Sequence, residues 1–327
     1  CGGTATAGLV AGGGNPGSVA VTEEYNVAST IITPAAWASG VNLPVTTSHA
    51  GGAGTTEASL VFGGYTPPAV NTTLEGTPAS WTAGGSMGTA RAAMAPAKIG
   101  SQTAALTAAG SPGSAPYAST LSEEYNGTGW TEGSNANIAV NLLAGTGTQT
   151  AALKVGGELA SPSYGESNSV EEYNGASWTS VTAIPTVIRN CASAGSQTAA
   201  LIAGGMIPGI TGNSYEYNGA SWSAGGVLSQ ARQNTDGGTG ATDATGLFGG
   251  GQAAGTTWYA NTEEYNGTAF FTRPAMAIAK ADYAGLGVNT SALAAGGRKS
   301  PAYTKMIEVE EFTGDTTSAN IKTLTTS

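Results

Sequence analysis

Charge is scarce in this chain: 10% of its 327 residues are Asp, Glu, Lys or Arg, against about 25% in ordinary soluble proteins. A surface so poor in charge rests on backbone hydrogen bonding and small side chains, which suits secreted or virion β proteins better than cytosolic enzymes. Positive charge is scarcest, with 11 Lys and Arg against 21 Asp and Glu and a net charge of −10. A phosphate backbone is repelled overall, so nucleic acid is excluded as a partner. There is one histidine, His49, which rules out a His-rich metal site. A Ser-His-Asp triad needs only one, but the sequence sets neither an acid nor a nucleophile beside it. No run of about 20 apolar residues occurs, so no membrane span is expected. The two cysteines, Cys1 and Cys191, lie in different repeats, and a disulfide requires Cα atoms within about 7 Å. Both are expected as free thiols. A start at Cys1 rather than Met suggests a processed or excerpted product. No segment sustains a 3.6-residue apolar period, which predicts essentially no helix.

What the chain has in abundance is repetition. The stretch Val170-Glu171-Glu172-Tyr173-Asn174-Gly175-Ala176-Ser177-Trp178 recurs, whole or in part, seven times. Its tyrosine or stand-in is Tyr25, Gly76, Tyr125, Tyr173, Tyr217, Tyr265 and Phe312, at intervals of 51, 49, 48, 44, 48 and 47 residues. A glutamate precedes each, and 12 of the 21 acids belong to this motif. Between copies lies a short apolar run ending in small residues, as at 201–205 (Leu-Ile-Ala-Gly-Gly). A period of this size marks a closed array or a solenoid. Within one unit, Ser196-Gln197-Thr198 reads as a turn, 199–203 as an apolar strand and 214–217 as the next strand. Asn218-Gly219 is a strong hairpin signal, because both positions tolerate φ > 0, and Trp222 opens a last strand. Four short antiparallel strands in seven repeats predict an all-β, seven-bladed β-propeller of residues 1–327 with adjacent termini.

The blade resembles the kelch repeat. The marks of that family are a double glycine closing the second strand, a tyrosine in the third, a tryptophan several residues later, and a proline then an arginine leading onward. Here they stand as Gly204-Gly205, Tyr173, Trp178, and Ile184-Pro185 followed by Arg189. The pattern weakens where Gly76 replaces tyrosine, where Phe270 replaces tryptophan, and where Phe312 and Thr317 replace both. The Gly/Ser/Thr/Ala-rich, charge-poor form of the repeat looks like those of phage virion proteins, especially tail-fibre or decoration components. That resemblance implies a non-enzymatic virion-surface or extracellular module contacting a host receptor, a glycan or other virion subunits. The alternatives are a bacterial surface or secreted adhesin binding glycans and, third, a copper-oxidase-like enzyme, which one histidine does not serve.

Candidate sites are few. Adjacent glutamates on a strand point to opposite faces and cannot chelate together, so they are expected to accept bonds from neighbouring backbone or Arg groups. The Gly-Gly elements lack the following helix that a phosphate cradle needs. No cofactor and no metal are expected. Tyrosine and tryptophan around the Asn-Gly turn are expected to pack between blades. Loop asymmetry remains. The first and third connections of each blade are short and uniform, whereas the second varies and carries aromatics: Tyr65, Tyr117, Tyr164, Trp258, Tyr259 and Tyr303. Variable loops on a rigid scaffold are the usual place of recognition, and these six are the candidate binding residues.

Overall fold

The computed structural model describes residues 2–4, 7–14, 18–26, 29–160, 164–234, 238–255, 257–301 and 303–320. Among these no helix occurs. The chain divides into two compact units, one of residues 36–313 and one of residues 1–35 with 314–327.

The larger unit is a ring of blades. Each is a four-stranded antiparallel sheet, as in Ala192–Ser196, Ala199–Ala203, Ser214–Tyr217 and Trp222–Ala224 of the fourth blade. The others begin at Gly51, Ala95, Ala144, Thr239 and Ala284. Second strands are short, mostly apolar and largely buried, as in Leu201 and Ile202. A double glycine ends five of the six, with Ala109-Gly110 in the second blade, because two successive residues there take left-handed angles: Gly204 has φ 67° and Gly205 φ 101°. A Cβ on Gly204 would also sit 2.6 Å from the Arg232 carbonyl, so only glycine fits without strain.

Six blades stand where seven are expected. In the repeat around Phe312 the tryptophan is missing, and it arrives from the start of the ring: Ala36–Ser39 pairs with Val309–Thr313, placing Trp37 opposite Phe312. Their rings lie 5.2 Å apart, and the Trp37 indole donates to Thr262 Oγ1 at 3.1 Å. In the second and third blades Trp130 and Trp178 donate in the same way to Thr73 and Ser122 of the preceding blade. Trp37 therefore completes the last blade rather than a first one of its own.

A second closure lies at the axis. The residue opening each blade is left-handed: His49, Ala93, Leu142, Asn190, Asn234 and Asp282 have φ of 52° to 57°. Their backbones bond in a circle, with His49 N donating to Asp282 O at 2.7 Å and Ala93 N to His49 O at 2.9 Å. Leu142, Asn190, Asn234 and Asp282 continue it at 2.8–3.1 Å. A circle complete with six members leaves no donor or acceptor for a seventh.

The smaller unit holds the first repeat. Gly2–Thr4, Ala7–Gly14 and Ser18–Asn26 form a three-stranded sheet that sets Gly8 opposite Tyr25 and Leu9 opposite Glu24. That is the register of Ala152 with Tyr173 and Leu153 with Glu172 in a complete blade. Ser29–Thr33 pairs with Thr316–Asn320 in a separate two-stranded ribbon. The repeat is thus legible in its first three strands, but its tryptophan strand is used elsewhere. The expected approach of Cys1 to Ser327 lies outside the described residues. Cys191 is buried, as expected.

Candidate functional site

The two edges of the ring differ in what their side chains are already doing. At the edge of the first and third connections, turn residues are consumed by the scaffold. Gln197 donates to the carbonyls of Ala152 and Tyr173 in the preceding blade at 3.0 and 2.6 Å. Gln149 and Gln102 do the same one and two blades earlier. Asn218 accepts from the amides of Ala220 and Ser221 to hold its own turn. These repetitive turns lock blade to blade and present little free hydrogen-bonding capacity.

Between the edges, the glutamate pairs serve two neighbours, as alternation along a strand requires. The first member is buried against a cation: Glu123 with Arg91 at 2.8 Å, Glu310 with Lys280 at 3.0 Å, Glu171 with Lys154, and Glu263 with Arg232. Each also accepts backbone N–H from the incoming linker, as Glu123 does from Gly88 at 2.6 Å. The second member reaches the next blade, where a buried tyrosine hydroxyl donates to it. Tyr173 bonds Glu124 at 2.5 Å, Tyr217 bonds Glu172 at 2.9 Å and Tyr265 bonds Glu216 at 2.5 Å, with Tyr125 on Glu75 alike. Burial first, then the facing carboxylate, pushes the Tyr125, Tyr217 and Tyr265 phenols up to about 12, and Tyr173 rises too. These are structural clips.

The opposite edge is where the second connections and the linkers meet. Linker and loop are tied by paired backbone bonds, such as Ala281 with Arg298 at 3.0 and 2.8 Å and Gln233 with Gln252 at 2.9 Å each way. The edge is therefore pre-formed. Tyr65, Tyr117, Tyr164 and Tyr303 are 38, 46, 53 and 48% exposed. Tyr117, Tyr164 and Tyr303 have φ of 63°, 41° and 53°. A bulky residue held left-handed is strained and points to a constrained role.

The structure gathers four of the six candidate aromatics into one sector and leaves two outside it. Trp258 meets Tyr303 edge-on at 5.3 Å, and the Arg298 guanidinium lies 5.0 Å from the centre of the Tyr303 ring. Lys305 lies over Tyr65 at 5.4 Å, and Arg232 over Tyr259 at 5.5 Å. Tyr117 and Tyr164 belong to the second and third blades, away from this sector of the fifth, sixth and first.

Beneath the aromatics lies a polar floor that the sequence did not reveal. His49 Nε2 is 3.1 Å from Asp282 Oδ1, and Arg298 Nε donates to Asp282 Oδ2 at 2.6 Å. Burial raises the Asp282 pKa, but His49 and Arg298 outweigh it and hold the carboxyl below its ordinary value. The expectation that no acid or nucleophile stands beside His49 is thus corrected. Asp282 comes from the last blade, 233 residues away, and Ser48 Oγ is 3.4 Å from His49 Nδ1. The Ser48 hydroxyl is nevertheless buried and bonds the Tyr65 carbonyl at 3.2 Å, a poor setting for a nucleophile. Next along the circle, Asn190 reaches Gln233 at 3.4 Å and Asn234 reaches Gln252 at 3.5 Å. Gln252 in turn reaches the Tyr303 hydroxyl at 3.3 Å. Their visible signals in sequence are the polar steps Arg189-Asn190 and Gln233-Asn234 that open the fourth and fifth blades.

Below this floor the axis is nearly filled. His49, Ala93, Leu143, Cys191 and Gly285 are among the residues lining a void of about 10 Å³, on the order of one water molecule. Lys98 crosses it toward the carbonyls of Ser193 and Gly238 at 3.4 and 3.3 Å. A Cβ on Gly145 would fall 2.6 Å from Ala95 Cα, so the inner strands of the second and third blades meet backbone to backbone.

Radial four-stranded blades, a strand from the start closing the last blade, and a filled axis decide the fold. It is a β-propeller. The solved structure of YjhT is similar, with a TM-score of 0.70 over 85% of this chain and 99% of that one. Sequence identity is 14%, so the likeness concerns the propeller fold alone. No protein-family model matches the chain, and no curated protein matches it.

Proposed function

We propose that this propeller is a non-enzymatic binding and structural module of the kelch-like kind. Its setting is a virion surface or the exterior of a cell, as a tail-fibre or decoration component contacting a host receptor or neighbouring subunits. The observation that carries this reading is the division of labour between the two edges. One edge spends its polar side chains on the scaffold, whereas the other displays four tyrosines at 38–53% exposure on backbone tied down before any partner arrives. Rigid aromatic side chains lose little rotamer freedom and carry much of the energy in many interfaces. The virion setting is supported by the charge-poor Gly/Ser/Thr/Ala repeat, and the fold itself is compatible with many functions.

The test is adsorption of labelled protein to host cells and co-purification with the other subunits of its particle. Tyr117→Ala and Tyr164→Ala together, and Tyr65→Ala with Tyr303→Ala, are expected to reduce one or both readouts at unchanged circular dichroism. Thr128→Ala on an Asn-Gly turn is expected to change neither. Loss on altering the turn edge, with both tyrosine double variants unaffected, would place the partner on the wrong face.

A further inference from the structure

The polar floor at the axis has a chemistry that the exposed tyrosines alone do not define. Asn190, Asn234, Gln233 and Gln252 form an arc of amides around one side of the mouth, and each amide is both donor and acceptor. Their mutual contacts are long, 3.4 and 3.5 Å, at the weak limit of hydrogen bonding. Gln252 spends its amide hydrogens on the Gly255 carbonyl at 2.9 Å and the Tyr303 hydroxyl at 3.3 Å and is buried with Asn234, so the capacity offered to a ligand is that of the half-buried Asn190 and Gln233. Tyr303 stands at the end of the arc, 48% exposed and left-handed. The edge of Trp258 and the Arg298 guanidinium brace its ring.

We propose that the mouth of the axis binds the end of an uncharged saccharide. This deepens the reading of the variable edge as the recognition face and rests on it. A sugar presents hydroxyls that donate and accept at once, which an amide arc answers, and an apolar ring face that stacks on an aromatic. Charge complementarity argues for a neutral ligand. Arg298 is held by Asp282, and Lys299 bonds Glu308 at 3.0 Å. Lys305 lies over Tyr65, so most of the local cationic charge is already answered. The filled axis sets the depth: the ligand rests on the floor and does not enter. A shallow site of this kind binds one saccharide weakly, roughly in the millimolar range. Several copies on one particle would raise the strength by linkage rather than by new contacts.

The experiment is titration of the intact chain with glucose, galactose, N-acetylglucosamine and their β-linked disaccharides, followed by NMR. Saturable shifts with a dissociation constant of about 1–10 mM are expected for at least one. Binding is expected to be little changed between low and high salt. Asn190→Gly removes an amide while keeping the left-handed backbone, and Tyr303→Ala removes the stacking face. Each is expected to weaken binding several-fold, whereas Thr128→Ala at the opposite edge leaves it unchanged. No shift at about 20 mM, twice the top of that range, overturns the proposal. So does binding that survives both mouth variants, or binding confined to carboxylated sugars. If adsorption falls in the tyrosine variants while no saccharide binds, the recognition face stands and the saccharide assignment falls. If saccharide binds but adsorption follows the Asn-Gly edge, the recognition reading fails instead.

Discussion

Where side chains alternate faces, two adjacent glutamates must answer to different neighbours, and the chain contains its own control for the inner one. Four blades place a glutamate there and supply Arg91, Lys154, Arg232 or Lys280 to it. The other two place Leu74 and Tyr215 at that position. Thr47 and Ile188 stand where Arg91 would be. Glutamate and cation are present or absent together. Burial lowers the pKa of Lys154 and Lys280, with the facing carboxylate partly offsetting it. A buried pair is costly to break and often neutral to replace with apolar groups. Glu171→Gln is accordingly expected to destabilise by about 3–5 kcal/mol. The double change Lys154→Met with Glu171→Leu is expected to cost much less. Denaturant midpoints check this, and a double variant worse than the single one would show that the pair is a net source of stability.

At the scale of elements, the strand Ala36–Ser39 has consequences out of proportion to its length. It is largely exposed and four residues long, yet it carries the start of the ring into the last blade, where its backbone pairs with Val309–Thr313. Loss of the Trp37 side chain removes the contact with Phe312 and the bond to Thr262 together. Trp37→Ala is expected to cost about 2–3 kcal/mol, less than a fully buried aromatic truncation because part of the ring is already wet. Val227→Ala, at a 64% exposed site, serves as the comparison. Equal denaturant midpoints for the two would mean that closure does not depend on this strand. The same strand explains what sequence could and could not show. Double glycine, Tyr173, Trp178 and the Asn-Gly turns are local signals, so strand number, order and the outward position of the second connections were legible. The repeat count was legible too, but a repeat is not a blade. Tyr25 and Trp37 are 12 residues apart where Tyr173 and Trp178 are five. That interval marks a tryptophan strand free to pair with Phe312 instead. The aromatic loop residues were visible as composition. The floor of His49, Asp282 and the amides was not, because ring closure alone brings His49 to Asp282, 233 positions away, and the packing of neighbouring blades brings the amides together.

For the whole molecule, ring closure and blade-to-blade clips give stability two pH limits of opposite sign. Asp282 joins the last blade to the first through His49, and its folded pKa lies below the ordinary 3.8. A depressed carboxyl contributes stability that is present above its unfolded pKa and lost as pH falls through the folded one. That contribution therefore disappears only below about pH 4. The tyrosine clips run the other way. Tyr125, Tyr217 and Tyr265 are raised from 10.0 to about 12. Their contribution is complete below pH 10 and is lost as pH rises through about 12. Phe312 shows what a blade does without the clip: Glu264, deprived of a phenol, bonds Arg273 at 2.5 Å and Asn289 at 2.9 Å. Midpoints of urea unfolding measured from pH 3 to 12 are expected to fall at both ends, with the alkaline fall tracking phenolate absorbance. Replacing Tyr125, Tyr217 and Tyr265 with Phe together is expected to lower the neutral-pH midpoint and flatten the alkaline limb. Asp282→Asn is expected to flatten only part of the acid limb. An alkaline limb of unchanged steepness in the triple variant would mean that the inter-blade clips contribute nothing to the stability of the ring.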